Sequence, residues 1–228
     1  MALDDRQIHY LSRVLRLHAG DALDVFDGRG RRWHAILTAS DGGLELTLGA
    51  LCVHCTESPV AIHLGQCLSS AERMDWTIEK AVELGAIRIS PLASGRSQIK
   101  LDANRAARKL VHWQAIAEAA CMQSGRDVLP EIDPVQPLTT WIGSSGPALR
   151  LVLDPRAECS VTAAIKERHG DPTAIRLLVG PESGLSPAEI DAALAAGFQA
   201  VRIGPRTLRT ETAGLAALSA IQALAGDF

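Results

Sequence analysis

The alternation of apolar and polar positions changes character near residue 57. Between Asp21 and Leu51, the stretches DALDVF, RRWHAILTA and LELTLGAL take apolar and polar residues in turn. They are parted by Asp27-Gly28-Arg29-Gly30 and Asp41-Gly42-Gly43. Period-two patterning between glycine turns predicts a small antiparallel β unit. A short helix over residues 4–17 precedes it, with Ile8, Leu11 and Leu15 on one side. Cys52 to Pro59 reads as a linker.

Beyond Pro59 the chain alternates strand and helix. VAIHLGQCL reads as a buried strand, and IRISPL, LRLVLD (149–154), IRLLVG (175–180) and FQAVRIG (198–204) read as further strands. Helices are predicted over 71–84, closed by Gly85, from Asp102 to about Ser124, near 160–168, over 187–196 and from Glu211 to Ala225. Residues 134–147, rich in Pro, Gly and Ser, read as a joining stretch. Repeated β-α units predict an α/β fold with a parallel sheet under helices. The chain therefore divides into 1–57 and 58–228.

The composition, 47% hydrophobic and 21% charged over 228 residues, is that of an ordinary globule. The N-terminus lacks an apolar signal region and no run reaches membrane-spanning length, so a cytoplasmic location is expected. Five scattered cysteines build no disulfide framework. Cys52-Val53-His54-Cys55 has one metal-like pair without a second, and no metal is expected. Net charge is −3, yet the chain carries 19 arginines and 4 lysines. Arginine suits phosphate forks and base stacking, although a compositional bias toward Arg and Ala explains most of the excess.

Two loops carry the candidate chemistry. Strand 175–179 ends in Gly180-Pro181-Glu182-Ser183-Gly184, and strand 198–203 ends in Gly204-Pro205-Arg206-Thr207. Each joins the carboxyl end of a predicted parallel strand to a helix, where open α/β sheets bind ligands. Ser186, Pro187 and Glu189 supply an N-cap, a first-turn proline and a capping-box acid. There is no Gly-Lys-Ser/Thr and no Gly-x-Gly-x-x-Gly, and Glu182 would repel a pyrophosphate. A carboxylate and open carbonyls suit ribose hydroxyls, an adenine amino edge or a cation, all present in S-adenosylmethionine. The same residues would also serve as two tight turns with a solvated glutamate. Thr210 is the expected N-cap of the last helix, whose Gly214, Ala216, Ala217 and Ala220 allow a close neighbour.

The run Val201 to Ala213, VRIGPRTLRTETA, resembles the signature of the RsmE family. These bacterial methyltransferases form N3-methyluridine in small-subunit (16S) ribosomal RNA, at uridine 1498. HYLSRVLR (9–16), FDGRG (26–30), HLGQ (63–66), EKAVELG (79–85) and QSGR (123–126) match as well. The resemblance implies a SPOUT-type parallel sheet with a C-terminal trefoil knot behind a PUA-like β-barrel. It also implies a homodimer acting on 16S rRNA in the assembled small subunit.

S-adenosylmethionine would lie against the knot loops, on Leu178, Val179, Gly180, Pro181, Glu182, Gly184, Ile203, Gly204, Leu208, Thr210 and Thr212, and near Leu153. Arg209 would stabilise charge on the uridine oxygens, and Glu211 would accept the N3 proton or instead serve as a helix-dipole partner or an ion pair that orients Arg209. Arg13, Arg16, Arg29, Arg73 and Arg126 become candidate phosphate contacts, against the alternatives of solvated faces and helix ends. Trp76 and Trp113 read as core, His112 and His169 as surface.

Other functions compatible with the chain are a SPOUT enzyme methylating a ribose 2′-oxygen and a non-catalytic ribosome-assembly factor. Three departures from the family pattern stand out. The chain starts almost at the His-Tyr-Leu motif, where the family usually has an earlier strand with an Arg. Met122 replaces a usual Glu, and Ser183 a usual Gly, which would be strained at a positive φ.

Overall fold

A computed structural model describes residues 1–228 except 41–42, 53–55, 98, 100, 101, 145, 147 and 168–172. The first two residues of the Asp41-Gly42-Gly43 turn, His54 and Cys55 of the cysteine pair, and His169 therefore lie outside the described residues. The chain forms two compact units, Met1–Thr56 with Gly125–Val128, and Glu57–Ser124 with Leu129–Phe228. The division at residue 57 expected from the sequence assigns Gly125–Val128 to the second unit, whereas the fold joins this segment to the first.

In the first unit, α1 (Asp5–His9) starts from a capping box of Asp4 and Gln7 and continues as a wider π-turn over Tyr10–Val14. Arg16, at φ 57°, ends it. Strands β1 (Ala22–Phe26), β2 (Arg32–Ser40) and β3 (Gly43–Cys52) pair antiparallel in that order. Their inward positions Ala35, Leu37 and Leu46 join Leu11 in a small core. Arg32 closes the unit on its late segment, with Nε 2.7 Å from Asp127 Oδ1 and Nη2 donating to the Gly125 carbonyl at 2.8 Å. The hydrogen bonds to Asp127 hold the Arg32 guanidinium above its ordinary pKa, against burial.

The second unit is a parallel sheet of seven strands. They are β4 (Ala61–Cys67), β5 (Ala86–Ala93), β6 (Glu131–Ile132), β7 (Gln136–Pro137), β8 (Leu149–Leu153), β9 (Ala174–Val179) and β10 (Gln199–Val201). The order is β10-β8-β9-β4-β5-β6, with β7 also on β5, so the chain runs outward from β4 and returns to the middle. Every strand pair is parallel. The helices are α2 (Ala71–Glu83), α3 (Ala103–Ser124), α4 (Leu138–Gly143), α5 (Val161–Lys166), α6 (Pro187–Ala195) and α7 (Thr210–Ala225).

Alternation along each strand decides which layer a side chain meets. Leu178 on β9, Cys67 on β4 and Val152 on β8 join Trp141 of α4 and Ile190 and Ala193 of α6 in one core. Val179 turns the other way, where its Cγ2 would lie 3.4 Å from a Cβ on Gly214 of α7. After β10 at one edge, the chain thus crosses back to lay α7 on the middle strands.

Two sequence expectations change here. The stretch 134–147 contains α4, whose Trp141 is 2% exposed and anchors the core. Trp76, expected in the core, is 51% exposed, with the Lys80 ammonium 5.0 Å from its ring, while Trp113 is buried as expected.

Candidate active site

The carboxyl ends of three adjacent strands, β10, β8 and β9, open onto a cavity of about 690 Å³. That volume suits a small ligand. Its lower wall is apolar: Leu153, Val179, Leu185, Ile190 and Ala213. Loop 180–184 forms one side and loop 203–209 the other. Gly184 and Gly204 take φ of 70° and 63° with open space around them, so each backbone turns sharply where a ligand can approach. The first loop leads into α6 through the expected capping box, in which Ser186 Oγ accepts from Glu189 N–H at 3.2 Å.

Of the expected ligand residues, Leu153, Val179, Gly180, Pro181, Glu182, Gly184, Ile203, Gly204, Leu208 and Thr210 line this cavity. Leu178 does not, because strand alternation sends it into the α4–α6 core. Thr212 is exposed and also outside the lining. Thr210 is not the N-cap of α7. Arg209 holds that position, without a capping bond from its side chain, and the Thr210 hydroxyl donates instead to the Gly180 carbonyl at 2.5 Å. Ser183 is not among the positive-φ residues. Its hydroxyl donates to the Arg96 carbonyl at 2.9 Å, so the serine meets no backbone strain.

The charges are arranged in layers. Glu182 Oε1 accepts from Ser70 N–H and from Arg73 Nη1, both at 3.0 Å. Burial works against ionisation, but these donors keep its carboxyl below the usual range. Asp154, 9% exposed on the floor, is forked by Arg156 at 3.1 Å and likewise held low against burial. Around the mouth stand Arg96, Arg156, Arg202, Arg206 and Arg209, all exposed. The cavity thus combines an apolar wall and ion-paired carboxylates with a cationic rim, and such a rim attracts anions.

Of the two catalytic candidates, Arg209 lines the cavity and Glu211 does not. Glu211 Oε1 faces Arg73 Nε at 3.4 Å, so its ion-pair partner is Arg73 rather than Arg209. Arg73, expected at RNA, lies in the cavity wall. Arg13, Arg16 and Arg29 are exposed on the first unit, whereas Arg126 is 3% exposed and its side chain is not presented to a phosphate. Asp154, Arg156, Arg96 and Arg202 were missed. Asp154 had a signal, since it follows the strand end at Leu153 as Gly180 follows Val179.

Elsewhere among the described residues, Asp24, His34 and Cys52 bring ligand-type atoms within 4.8 Å of one another. The Asp24 carboxylate already faces His34 at 2.6 Å and Arg32 at 3.7 Å.

Comparisons with known proteins match both parts of the chain. Residues 56–222 match the family model described as an RNA methyltransferase domain, and residues 3–48 match an RNA methyltransferase PUA domain. The ribosomal RNA small subunit methyltransferase E of Buchnera aphidicola (subsp. Schizaphis graminum) is 33% identical over 100% of this chain and 92% of its own. A putative methyltransferase from Legionella pneumophila, solved with bound cofactor SAM, superposes at a TM-score of 0.91. It is 32% identical, over 99% of this chain and 92% of the other. The ribosomal RNA small subunit methyltransferase E of Neisseria gonorrhoeae, bound to S-adenosyl methionine, gives a TM-score of 0.90 at 37% identity over the same shares. Matched along its whole length, in both its PUA and its catalytic parts, this chain belongs to the ribosomal RNA small subunit methyltransferase E family.

Proposed function

We propose that this protein transfers a methyl group from S-adenosylmethionine to N3 of a uridine in 16S rRNA. The observation that carries the reading is the cavity at the ends of β8, β9 and β10, apolar below and ringed by arginines above. When bound, the cofactor supplies an electrophilic methyl on a sulfonium. The residues fit it: Val179, Ile203 and Leu208 line the cavity, where their backbone groups would hold the adenosine, and the sequence carries no phosphate-binding loop motif. One lone pair of the Gly180 carbonyl is already taken by Thr210.

Arg209, which lines the cavity, would act on the nucleotide. Uridine N3–H is flanked by two carbonyls, and its loss puts negative charge on both oxygens. A guanidinium on the cavity wall stabilises that charge as it grows. Glu211, outside the lining and facing Arg73, fits an electrostatic role better than that of the base. Exposed Arg13, Arg16 and Arg29 would hold the RNA through phosphates.

The reading includes the family's homodimer, its knotted C-terminal segment, and cytoplasmic action on the assembled small subunit. Family resemblance supports these. No helix among the described residues is long and apolar enough to cross a membrane.

The test is a single-turnover assay with labelled cofactor and undermodified small subunits, followed by nucleoside analysis. N3-methyluridine is expected as the product. Arg209→Ala should slow its formation by about 10²–10³-fold while calorimetric cofactor affinity stays near that of the parent. A ribose-methylated nucleoside would instead identify a 2′-oxygen enzyme, and no product with intact RNA binding an assembly factor.

A further inference from the structure

Two links join the two cavity loops, and both start from the β4–α2 junction. The first is buried. The Thr210 hydroxyl has one proton, directed at the Gly180 carbonyl 2.5 Å away. Gln66 must therefore donate to Thr210 Oγ1, and its Nε2 does so at 3.0 Å while also reaching the Cys67 carbonyl at 3.1 Å. Gln66 is 0% exposed and does not line the cavity, so it acts on the ligand only through Thr210.

The second link is charged. The Arg73 guanidinium meets Glu182 Oε1 at 3.0 Å through Nη1 and Glu211 Oε1 at 3.4 Å through Nε. Glu182 belongs to the first loop, and Glu211 sits in the first turn of α7, just past the second. Among the described residues the other Glu211 oxygen is buried without a hydrogen-bond partner, and Arg73 is the cation that faces this carboxylate. A planar fork can serve two carboxylates at once in a way that an ammonium cannot. Without it, two like charges would face each other across the pocket wall and the loops would separate.

We propose that Arg73 is a positioning residue for the cofactor pocket rather than an RNA contact. It sets the spacing between loop 180–184 and the head of α7 by bridging Glu182 and Glu211, and Gln66 fixes the adjacent point through Thr210. This rests on the cavity being the S-adenosylmethionine site. With its side chain 36% exposed, the bridge adds little to global stability. Its effect falls on the geometry of the two loops.

Removing a cation also makes the pocket more attractive to a sulfonium, which opposes the loss of spacing. Ligand charge separates the two effects, because S-adenosylhomocysteine has a neutral sulfur. Calorimetry without RNA should compare the parent with Arg73→Gln, Arg73→Lys, Glu182→Ala and the Arg73→Gln/Glu182→Ala double variant, for both ligands, with thermal melts as a folding control.

Arg73→Gln should weaken both ligands by a similar factor of about ten, and Arg73→Lys should restore only part of the loss. In the Glu182→Ala background, Arg73→Gln should cost much less, because half of the bridge is already gone. Parent-like affinity for both ligands, or tighter binding of the sulfonium alone, would overturn the proposal. Should Arg73→Gln fail to fold, full affinity in the folded Arg73→Lys and Glu182→Ala proteins would overturn it equally. A parent that binds neither ligand would overturn the S-adenosylmethionine reading itself.

Discussion

His63 stands where several groups compete over one proton. The Trp141 indole N–H points at its Nε2 from 3.2 Å, the Ser90 hydroxyl lies 2.7 Å from the same atom, and Asp133 lies 3.7 Å away. Burial is the strongest influence and lowers the His63 pKa below 6.5; Asp133 opposes it, and the Arg176 and Arg88 cations reinforce it. Arg176 is itself pushed down to about 10 by burial and by Arg150 and Arg88. For Asp133, burial opposes ionisation, yet His63, Arg88 and Ser90 hold the carboxyl well below its ordinary range.

Both shifts work in the same direction. Below pH 6.5 the unfolded chain binds a proton at His63 that the native state resists, so stability falls with acidification there. Asp133 stabilises the native state above 3.8, and that contribution is lost as pH falls further toward its depressed folded value. Urea midpoints should therefore decline between pH 7 and 5 and again below about 4. A His63→Gln protein should flatten the first decline and keep the second. A first decline that persists unchanged in His63→Gln would show that other groups cause it.

At the scale of elements, the sheet and α4 are fitted through one glycine. A Cβ on Gly65 of β4 would lie 2.6 Å from Trp141 Cη2 and 2.7 Å from Cζ2. The indole cannot slide away easily, since its N–H is held by His63 and the Arg176 guanidinium lies 4.1 Å from its centroid. Gly65→Ala should destabilise the fold by about 1–3 kcal/mol through overpacking, measured by urea denaturation; a parent-like midpoint would mean that α4 can shift at no cost. The element α4 was hidden in the sequence for a related reason. Its six residues are too few to show a helical period, and Pro, Gly and Ser flank them. By contrast, α6 announced itself through Ser186, Pro187 and Glu189, whose roles are local. The cavity loops were legible because strand ends and glycines are local too. The roles of Gln66 and Arg73 at the pocket were not legible, because only the strand order, with β9 between β8 and β4, brings β4 and the start of α2 beside the loop after β9.

At the scale of the whole molecule, a net charge of −3 coexists with an arginine-rimmed cavity and with exposed Arg13, Arg16 and Arg29 on the first unit. Overall charge gives little long-range attraction to RNA, so binding depends on where the cations stand. Replacing Arg13 and Arg16 together by Ala should weaken small-subunit binding and lower the slope of log affinity against log salt by about 2. Cofactor affinity should not change. An unaltered slope would return both residues to the role of solvated surface.

The late segment Gly125–Val128 has a consequence for how the protein is made. Gly30 N–H donates to the Asp127 carbonyl at 2.9 Å, and Arg32 finds its carboxylate 95 residues further along the chain. On the ribosome, the strands β1–β3 emerge long before the residues that complete their unit. Through the synthesis of β4, α2, β5 and α3, Arg32 has Asp24 at hand but not yet Asp127. Vectorial synthesis therefore leaves the Gly30 and Arg32 bonds to Asp127 to close only after α3 has been made, so the first unit completes its hydrogen bonding late.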